Sequence, residues 1–409
     1  MSNVADKARF HLERAVPQLR EFEEKEIFSK EEIRTIVSKR TAHEHLVLGP
    51  GCKSSDFQTY IAWELSLDRL RQKRCIRKKI KHSTSHAANA RIFNIYERGV
   101  FRHPGSLALW KDYLEYAARV KATKRWRKIV TRALRLHPAE VSLWVMAAGR
   151  AAEDGDVDGA RSLFMRGCRF CSSGCTLWVE YARMEMQWLA KMERKNKGSG
   201  KKGHEGSMAT HAVQEGDIMM FDEDDEDDEF GQDDDNVLLP EPSLGTQSGK
   251  AKTQSNKFEE SMKKIEKSPA LEGAIPRAIF DVARKQAFWS ADAGEAFFDM
   301  FSEFVAVSKQ SVIIEHVLDA LKSDYPSHPS TCSCVIRQPL IGVEVTTVEF
   351  PKALREVLAR IKMQTETTED KAQLAEKTLA WVKPLLARKD LDDSLRTVLE
   401  YTKSKLETS

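Results

Sequence analysis

Apolar residues along this chain recur at intervals of three and four, the spacing that places side chains on one face of an α-helix. Two successive faces of this kind consist of Ile92, Ile95, Tyr96 and Val100, and of Trp110, Tyr113, Leu114 and Ala117. His103-Pro104 separates the two faces, and a proline without an N–H ends one helix and helps to start the next. The pattern predicts short helices arranged in pairs.

The paired pattern itself repeats with a period of 34 residues. The tryptophans Trp110, Trp144 and Trp178 are separated by this step, and a leucine precedes each of them. The same step relates three arginines and three small residues, which are Arg98, Arg132 and Arg166, and Gly99, Ala133 and Gly167. We expect the small residues to let neighbouring helices approach closely.

A single helical hairpin of this size cannot cover its own tryptophan, so successive hairpins must stack and bury one another's apolar faces. The sequence therefore predicts an all-α fold, an α-solenoid of helical hairpin repeats preceded by an N-terminal helical region. Changes in composition and periodicity divide the chain into six segments. These are an N-terminal helical domain (1–85), repeats (86–195), a disordered acidic linker (196–268), further repeat helices (269–325), an irregular segment (326–350) and C-terminal helices (351–409).

Composition adds a marked segregation of charge. The net charge is +3, but residues 222–229 are all acidic and residues 233–235 add three more acids. The rest of the chain carries +14 without these eleven residues, which favours a polyanion or an acidic protein surface as partner. No apolar run is long enough to span a membrane, so we expect no membrane association. Seven cysteines without a secretory signal indicate free thiols in a reducing compartment.

The densest cationic stretch has eight Lys or Arg among residues 69–81. Such a density can neutralise several phosphates, with an affinity that depends strongly on salt. A nuclear import signal and a solvated helix face remain as alternatives. The candidate residues for contact with RNA or a partner are Arg71, Lys73, Arg74, Arg77, Lys78, Lys79 and Lys81.

No catalytic motif accompanies these features. Cys168, Cys171 and Cys175 are close in sequence, but a fourth ligand at a suitable spacing is missing, so we expect no metal site. The chain has no HExxH motif, no Gly-x-Ser-x-Gly motif and no phosphate-binding glycine loop. We therefore expect a protein that is not an enzyme and uses no cofactor or small-molecule substrate.

Two parts of the sequence resemble known protein families. The repeats resemble half-a-tetratricopeptide (HAT) repeats, through Ile95-Tyr96-Glu97-Arg98-Gly99-Val100 and Trp178-x-x-Tyr181-x-x-Met184-Glu185. The N-terminal residues look like the start of the U-three small nucleolar RNA-associated protein 6 family. They are Phe10-x-Leu12-Glu13-Arg14-x-Val16-Pro17-x-Leu19, the run from Glu23 to Arg40, Tyr60-Ile61 and Leu70-Arg71-x-Lys73-Arg74.

The second resemblance implies a nucleolar scaffold subunit of the small-subunit processome, needed to mature 18S ribosomal RNA. It also implies β-propeller proteins of the UTP-B subcomplex as partners, together with the particle that contains pre-ribosomal RNA and U-three small nucleolar RNA. Competing interpretations are a HAT scaffold of splicing or messenger RNA 3′-end processing, a tetratricopeptide chaperone adaptor and a direct RNA-binding protein. The signature from Phe10 to Arg40 argues against the first of these, and no Lys and Asn carboxylate clamp supports the second.

Overall fold

A computed structural model describes residues 4–80, 85–199, 273–388 and 391–407. Within these ranges the regular structure is α-helical apart from one 3-10 helix at Gln338–Leu340, and no strand occurs. The all-α class is therefore confirmed. The helices are α1 Val4–Glu13, α2 Val16–Glu24, α3 Lys30–Leu48, α4 Ser54–Lys78, α5 Ser85–Arg102, α6 Leu107–Arg119, α7 Thr123–Leu136, α8 Val141–Glu153, α9 Val157–Phe170, α10 Thr176–Ser199, α11 Ala274–Arg284, α12 Ala291–Ser302, α13 Gln310–Asp324, α14 Pro329–Arg337, α15 Phe350–Thr367, α16 Lys371–Leu386 and α17 Asp393–Glu407.

The chain forms two compact units, Met1–Leu143 and Trp144–Ser409. In the first unit α3 packs against α1, α2 and α4, and α4 to α7 then pack consecutively as antiparallel neighbours. In the second unit α10 packs against α9 and against α11, although residues 200–272 lie between α10 and α11 in sequence. The predicted disorder and the acidic residues 222–235 fall outside the described residues.

Stacked rings recur where the second helix of one hairpin meets the first helix of the next. The second ring of each pair stands three residues after the tryptophan of its repeat, or after Phe57 in the case of Tyr60. Interplanar angles of 6–9° and centroid distances of 4.9–5.2 Å make the three pairs nearly identical. The pairs are His43 with Tyr60, Tyr96 with Tyr113, and Phe164 with Tyr181.

Two ion pairs that involve buried glutamates occupy equivalent places in this pattern. Arg40 of α3 donates to both carboxylate oxygens of Glu64, at 2.8 and 3.0 Å. Arg161 of α9 donates to Glu185 at 2.6 and 2.8 Å, and both pairs join residues 24 apart. The repeat geometry therefore begins at α3, inside the segment that the sequence assigned to a separate N-terminal domain of residues 1–85.

The predicted close approach at the small residues is present. A methyl group added at Gly99 would lie 2.9 Å from Leu109 Cδ2 and 3.2 Å from Phe57 Cδ1. At Gly167 it would lie 2.8 Å from Leu177 Cδ2 and 2.9 Å from the Trp144 ring. Each glycine thus lies against an aromatic ring of the preceding helix and a leucine of the following helix.

The three repeated tryptophans differ in burial. Trp110 is fully buried, and its indole N–H donates to the carbonyl of Pro104 at 2.9 Å. Trp144 is 4% exposed and stacks on Phe170 at an interplanar angle of 11°. Trp178 is only partly buried and lies against Phe288.

The repeated arginines also differ in their contacts. Arg98 donates to both oxygens of the Glu44 carboxylate, at 2.8 and 2.9 Å. Arg132 bonds Glu97 and lies 5.7 Å from the centroid of the Trp110 ring. Arg166 is exposed, and no ion pair within the described ranges includes it.

The prediction that residues 326–350 form an irregular segment is wrong in part. Residues Pro329–Arg337 form α14, which starts with proline in its first turn, where a missing N–H costs nothing. The side chains of Cys332, Cys334 and Ile336 are fully buried, so tertiary packing stabilises a segment that has weak helix propensity. Residues 341–349 have no regular structure.

Two glycines in neighbouring helices allow a test of the packing. We expect Gly167→Ala to lower the free energy of unfolding and Gly149→Ala, where the added methyl meets nothing within 4 Å, to raise it. Both changes gain helix propensity of about 0.5–1 kcal/mol, so their difference isolates the overlap at Gly167, about 1–3 kcal/mol. Urea unfolding of both variants measures it, and equal stabilities would show that α8, α9 and α10 do not meet as described.

Candidate nucleic-acid interface

The predicted contact residues lie in the second half of α4 and just beyond its end. Because a helix of this length turns several times, cations that are close in sequence point to different sides. One side faces the helices of the N-terminal region, and the other faces solvent. The structure therefore separates the seven candidates into those that hold α4 in place and those that are free to meet a partner.

Arg71 is on the inner side. Its side chain is 4% exposed and donates to Asp68 at 2.8 Å. A guanidinium that is buried and ion-paired cannot reach an external phosphate without breaking the fold around it. The prediction that Arg71 contacts RNA is therefore corrected, and Arg71 is a structural residue.

Arg74 is also engaged within the protein. It donates to both oxygens of the Glu32 carboxylate at 2.7 Å and to the carbonyl of Ile27 at 3.1 Å, and it lies 4.7 Å from the centroid of the Phe28 ring. Glu32 in turn completes the predicted capping box with Ser29 at the start of α3. The hydrogen bonds from Arg74 and from the Ser29 backbone lower the pKa of Glu32 to about 2, so the pair stays charged at neutral pH. Arg74 thus ties α4 to the start of α3.

The end of α4 holds three further candidates. Lys78 donates to the carbonyl of Glu26 and helps to close the helix against the α2–α3 turn. Lys79 is exposed and ends α4 with a left-handed backbone, φ 53°. Lys81 lies outside the described residues.

Lys73 and Arg77 remain as cations on the outer side. Both are exposed, and they continue a line of residues four apart that starts at Arg69. No hydrogen bond or ion pair of their side chains is present within the described part of the chain. Between them the side chain of Ile76 is 77% exposed. Lys73 and Arg77, with Lys79, are the predicted residues that the structure leaves accessible to RNA.

A buried polar network fixes the inner side of α4. Tyr60 donates to Glu44 at 3.0 Å, and the same carboxylate accepts both hydrogen bonds from Arg98. Burial alone would raise the pKa of Glu44, but the hydrogen bonds and charge of Arg98 hold it below its ordinary value. Burial and the charge of Arg98 lower the pKa of the neighbouring His11 to about 4, so this histidine is neutral at physiological pH.

The sequence reasoning missed a second cationic stretch. The residues from Arg119 to Arg135 include eight Lys or Arg and no acid, and most of them belong to α7. The signal that could have found it is the absence of Asp and Glu over the whole of α7, about four helical turns, because the repeats elsewhere mix both signs. It was hidden by the larger number of cations per residue at 69–81.

The described residues contain no group of three His, Cys, Asp or Glu side chains arranged to hold a metal ion. Burial raises the pKa of the Cys168 thiol to about 12, as expected for a core position. None of the described helices combines the length and the apolar character needed to cross a bilayer.

Comparison with known proteins finds a family to which part of this chain is similar. The sequence model of U3 small nucleolar RNA-associated protein 6 matches residues 12–95, which run from the end of α1 into α5. The matched range includes the Arg40–Glu64 and Arg74–Glu32 pairs.

Three curated relatives are similar to this chain. A U3 small nucleolar RNA-associated protein 6 of Schizosaccharomyces pombe is 30% identical over 193 residues, 46% of this chain and 40% of the relative. The Homo sapiens homologue is 26% identical over 195 residues, 47% of this chain and 33% of the relative. The Dictyostelium discoideum homologue is 23% identical over 340 residues, 80% of this chain and 52% of the relative. The chain thus matches between a third and about half of the length of these relatives.

The division of the α4 cations predicts opposite results for two variants. Arg71→Gln leaves Asp68 without its buried partner and should lower the free energy of unfolding by roughly 3 kcal/mol. Lys73→Glu combined with Arg77→Glu should change stability by less than about 0.5 kcal/mol, since both side chains are exposed, and should weaken retention on RNA. Urea unfolding and RNA-affinity chromatography measure the two properties. Loss of RNA retention in a fully stable Arg71→Gln protein would contradict the division.

Proposed function

We propose that this chain, which is similar to U3 small nucleolar RNA-associated protein 6 over residues 12–95, belongs to that family and is a non-catalytic scaffold subunit of the small-subunit processome. In this role it supports processing of the 18S pre-ribosomal RNA and assembly of the small ribosomal subunit. The observation that carries the proposal is the family match over residues 12–95, whose buried ion pairs position α3, α4 and α5.

The architecture supports a scaffold rather than an enzyme. The inward-facing polar residues of the first unit are engaged with one another, as in the contacts of Arg40 with Glu64 and of Arg98 with Glu44. Stacked hairpins offer long series of helix faces, which suit the binding of extended segments from other proteins. We therefore propose protein and RNA partners, and neither a substrate nor a cofactor.

The proposed partners are the β-propeller proteins of the UTP-B subcomplex and the particle that contains U3 small nucleolar RNA and pre-ribosomal RNA. The names of the relatives support association with a U3-containing particle. An extended peptide of a propeller protein that lies along the repeats is the form of contact that we propose. The corresponding location is the nucleolus.

Purification of the tagged chain from cells under mild conditions tests this function. We expect U3 small nucleolar RNA, pre-ribosomal RNA and propeller proteins in the eluate, identified by RNA hybridisation and mass spectrometry. Treatment of a parallel sample with ribonuclease separates partners held by protein contacts from those held through RNA. Depletion of the protein should lower 18S ribosomal RNA and leave the large-subunit RNA unchanged.

Recovery of spliceosomal or 3′-end processing proteins without U3 RNA would overturn the proposal in favour of another HAT scaffold. Normal 18S ribosomal RNA after complete depletion would also contradict it.

A further inference from the structure

We propose that the outer face of α7 binds the phosphate backbone of RNA through Arg127, Lys128 and Arg135. The inference deepens the proposed function and rests on it, because it assigns the contact with an RNA-containing particle to one surface. It is independent of the α4 cations predicted from the sequence. The contact would be made to phosphates rather than to bases.

The three side chains form an unpaired cationic group on α7. All three are exposed, and no hydrogen bond or ion pair of their side chains occurs within the ranges that the structure describes. Lys128 and Arg135 lie on the same side of α7, seven residues or about 11 Å apart along the axis. Arg127 precedes Lys128 in sequence and points about 100° around the helix from it. Together the three cations can contact phosphates of one strand.

Three other cations of this stretch are engaged within the protein. Arg125 lies 4.6 Å from the centroid of the Phe93 ring, and Arg119 lies 5.3 Å from that of Tyr116. Arg132 bonds Glu97. Arg127, Lys128 and Arg135 differ from these three in having no partner within the described residues, and not in charge.

Equivalent positions in the other repeats show that the fold does not require these charges. The counterparts of Lys128 one repeat before it and one repeat after it are Asn94 and Ser162. Arg135 corresponds to Phe101 in α5 and to the exposed Arg169 in α9. Arg127 corresponds to Arg161, which is neutralised by Glu185, but Ala151 stands in the sequence where that glutamate belongs. In sequence, this repeat thus has the arginine without the glutamate. Of these five counterparts, Arg169 is the one cation for which the described part of the chain shows no ion pair, whereas α7 has three such cations.

The concentration of charge is also unfavourable to the isolated helix. The first turn of α7 has no acidic residue to interact with the helix dipole, and Lys124 stands there instead. Lys124 with Lys128, and Lys128 with Arg132, are like-charged pairs four residues apart, a spacing at which like charges destabilise an isolated helix. An arrangement that costs stability in the free protein is expected where a polyanion relieves the repulsion.

RNA fits this surface better than an acidic protein. Protein interfaces place a desolvated apolar or aromatic centre inside a polar rim. On α7 the only large apolar side chain that is exposed within the described part of the helix is Leu136, at its last residue. A group of long, flexible cations without an apolar centre is suited to binding phosphates. Phosphate contacts do not depend on the base sequence.

The test uses the full-length chain and a fluorescent single-stranded RNA of twenty nucleotides in mixed sequence. Arg127→Gln, Lys128→Gln and Arg135→Gln are combined in one variant. Removal of three phosphate contacts should weaken the affinity about ten- to a hundredfold at 0.1 M salt and make the log–log salt slope shallower by about 2. Fluorescence anisotropy at several salt concentrations measures both quantities.

The matched control removes three exposed cations from α15, through Lys352→Gln, Arg355→Gln and Lys362→Gln. It loses the same net charge, so we expect the affinity to change by less than about threefold if contact with α7 is specific. The α7 variant should unfold at the same temperature as the original protein or slightly higher, because like-charge repulsion is relieved.

The inference is overturned if both variants lose affinity equally, if neither loses it, or if the unaltered chain does not bind the RNA. It is also overturned if poly-glutamate at equal charge concentration displaces the RNA completely, since the surface would then favour an acidic protein. Co-purification with U3 RNA in spite of any of these results would leave the scaffold function intact and remove only the contact with α7. Binding through α7 without co-purification of U3 RNA would do the reverse.

Discussion

The close approach of helices at Gly99 and Gly167 is the contact on which the stacking depends. At each glycine the ring of the preceding helix and the leucine of the following helix meet on a surface without a side chain. Three consecutive helices therefore share one packing site, and no hairpin can be removed without exposing the aromatic side chain of its neighbour. The consequence for function is rigidity, because side chains on the outer faces of such helices keep fixed spacings.

The buried ion pairs complete this arrangement on the polar side. Replacing a buried pair by apolar residues is often neutral or stabilising, so Arg40–Glu64 and Arg161–Glu185 are better explained by the specificity of helix pairing than by a gain in stability. An unpaired carboxylate at either site would be costly because Glu64 and Glu185 are buried, and this would penalise alternative registers of α3 on α4 and of α9 on α10. The same pairs remove cations from the surface. The cationic side chains that remain on the surface are therefore those that form no ion pair within the helix packing.

The period of 34 residues, the all-α class and the role of the small residues could be predicted from the sequence because they depend on local spacing. The pairing of Arg74 with Glu32 could not, since the partners are 42 residues apart and meet only when α4 packs beside the start of α3. Helix α14 was missed for a related reason. Its Ser, Thr and Cys residues have weak helix propensity, and the burial of Cys332, Cys334 and Ile336 is a property of the tertiary structure. In the first case the missing information was the pairing of distant side chains, and in the second it was the burial of side chains in the tertiary structure.

Cationic density alone is consequently a poor guide to the RNA-facing surface of such a protein. Residues 69–81 and the stretch from Arg119 to Arg135 each contain eight cations, yet in both stretches the packing engages several of them. The accessible remainder can bind phosphates in many RNAs with similar affinity, because phosphate contacts position a protein without reading sequence. Selection of one particle among many must then come from protein partners that recognise the helix faces of the repeats. A scaffold with these two kinds of surface gains its specificity from the protein contacts and its hold on RNA from the charges that its own fold leaves unpaired.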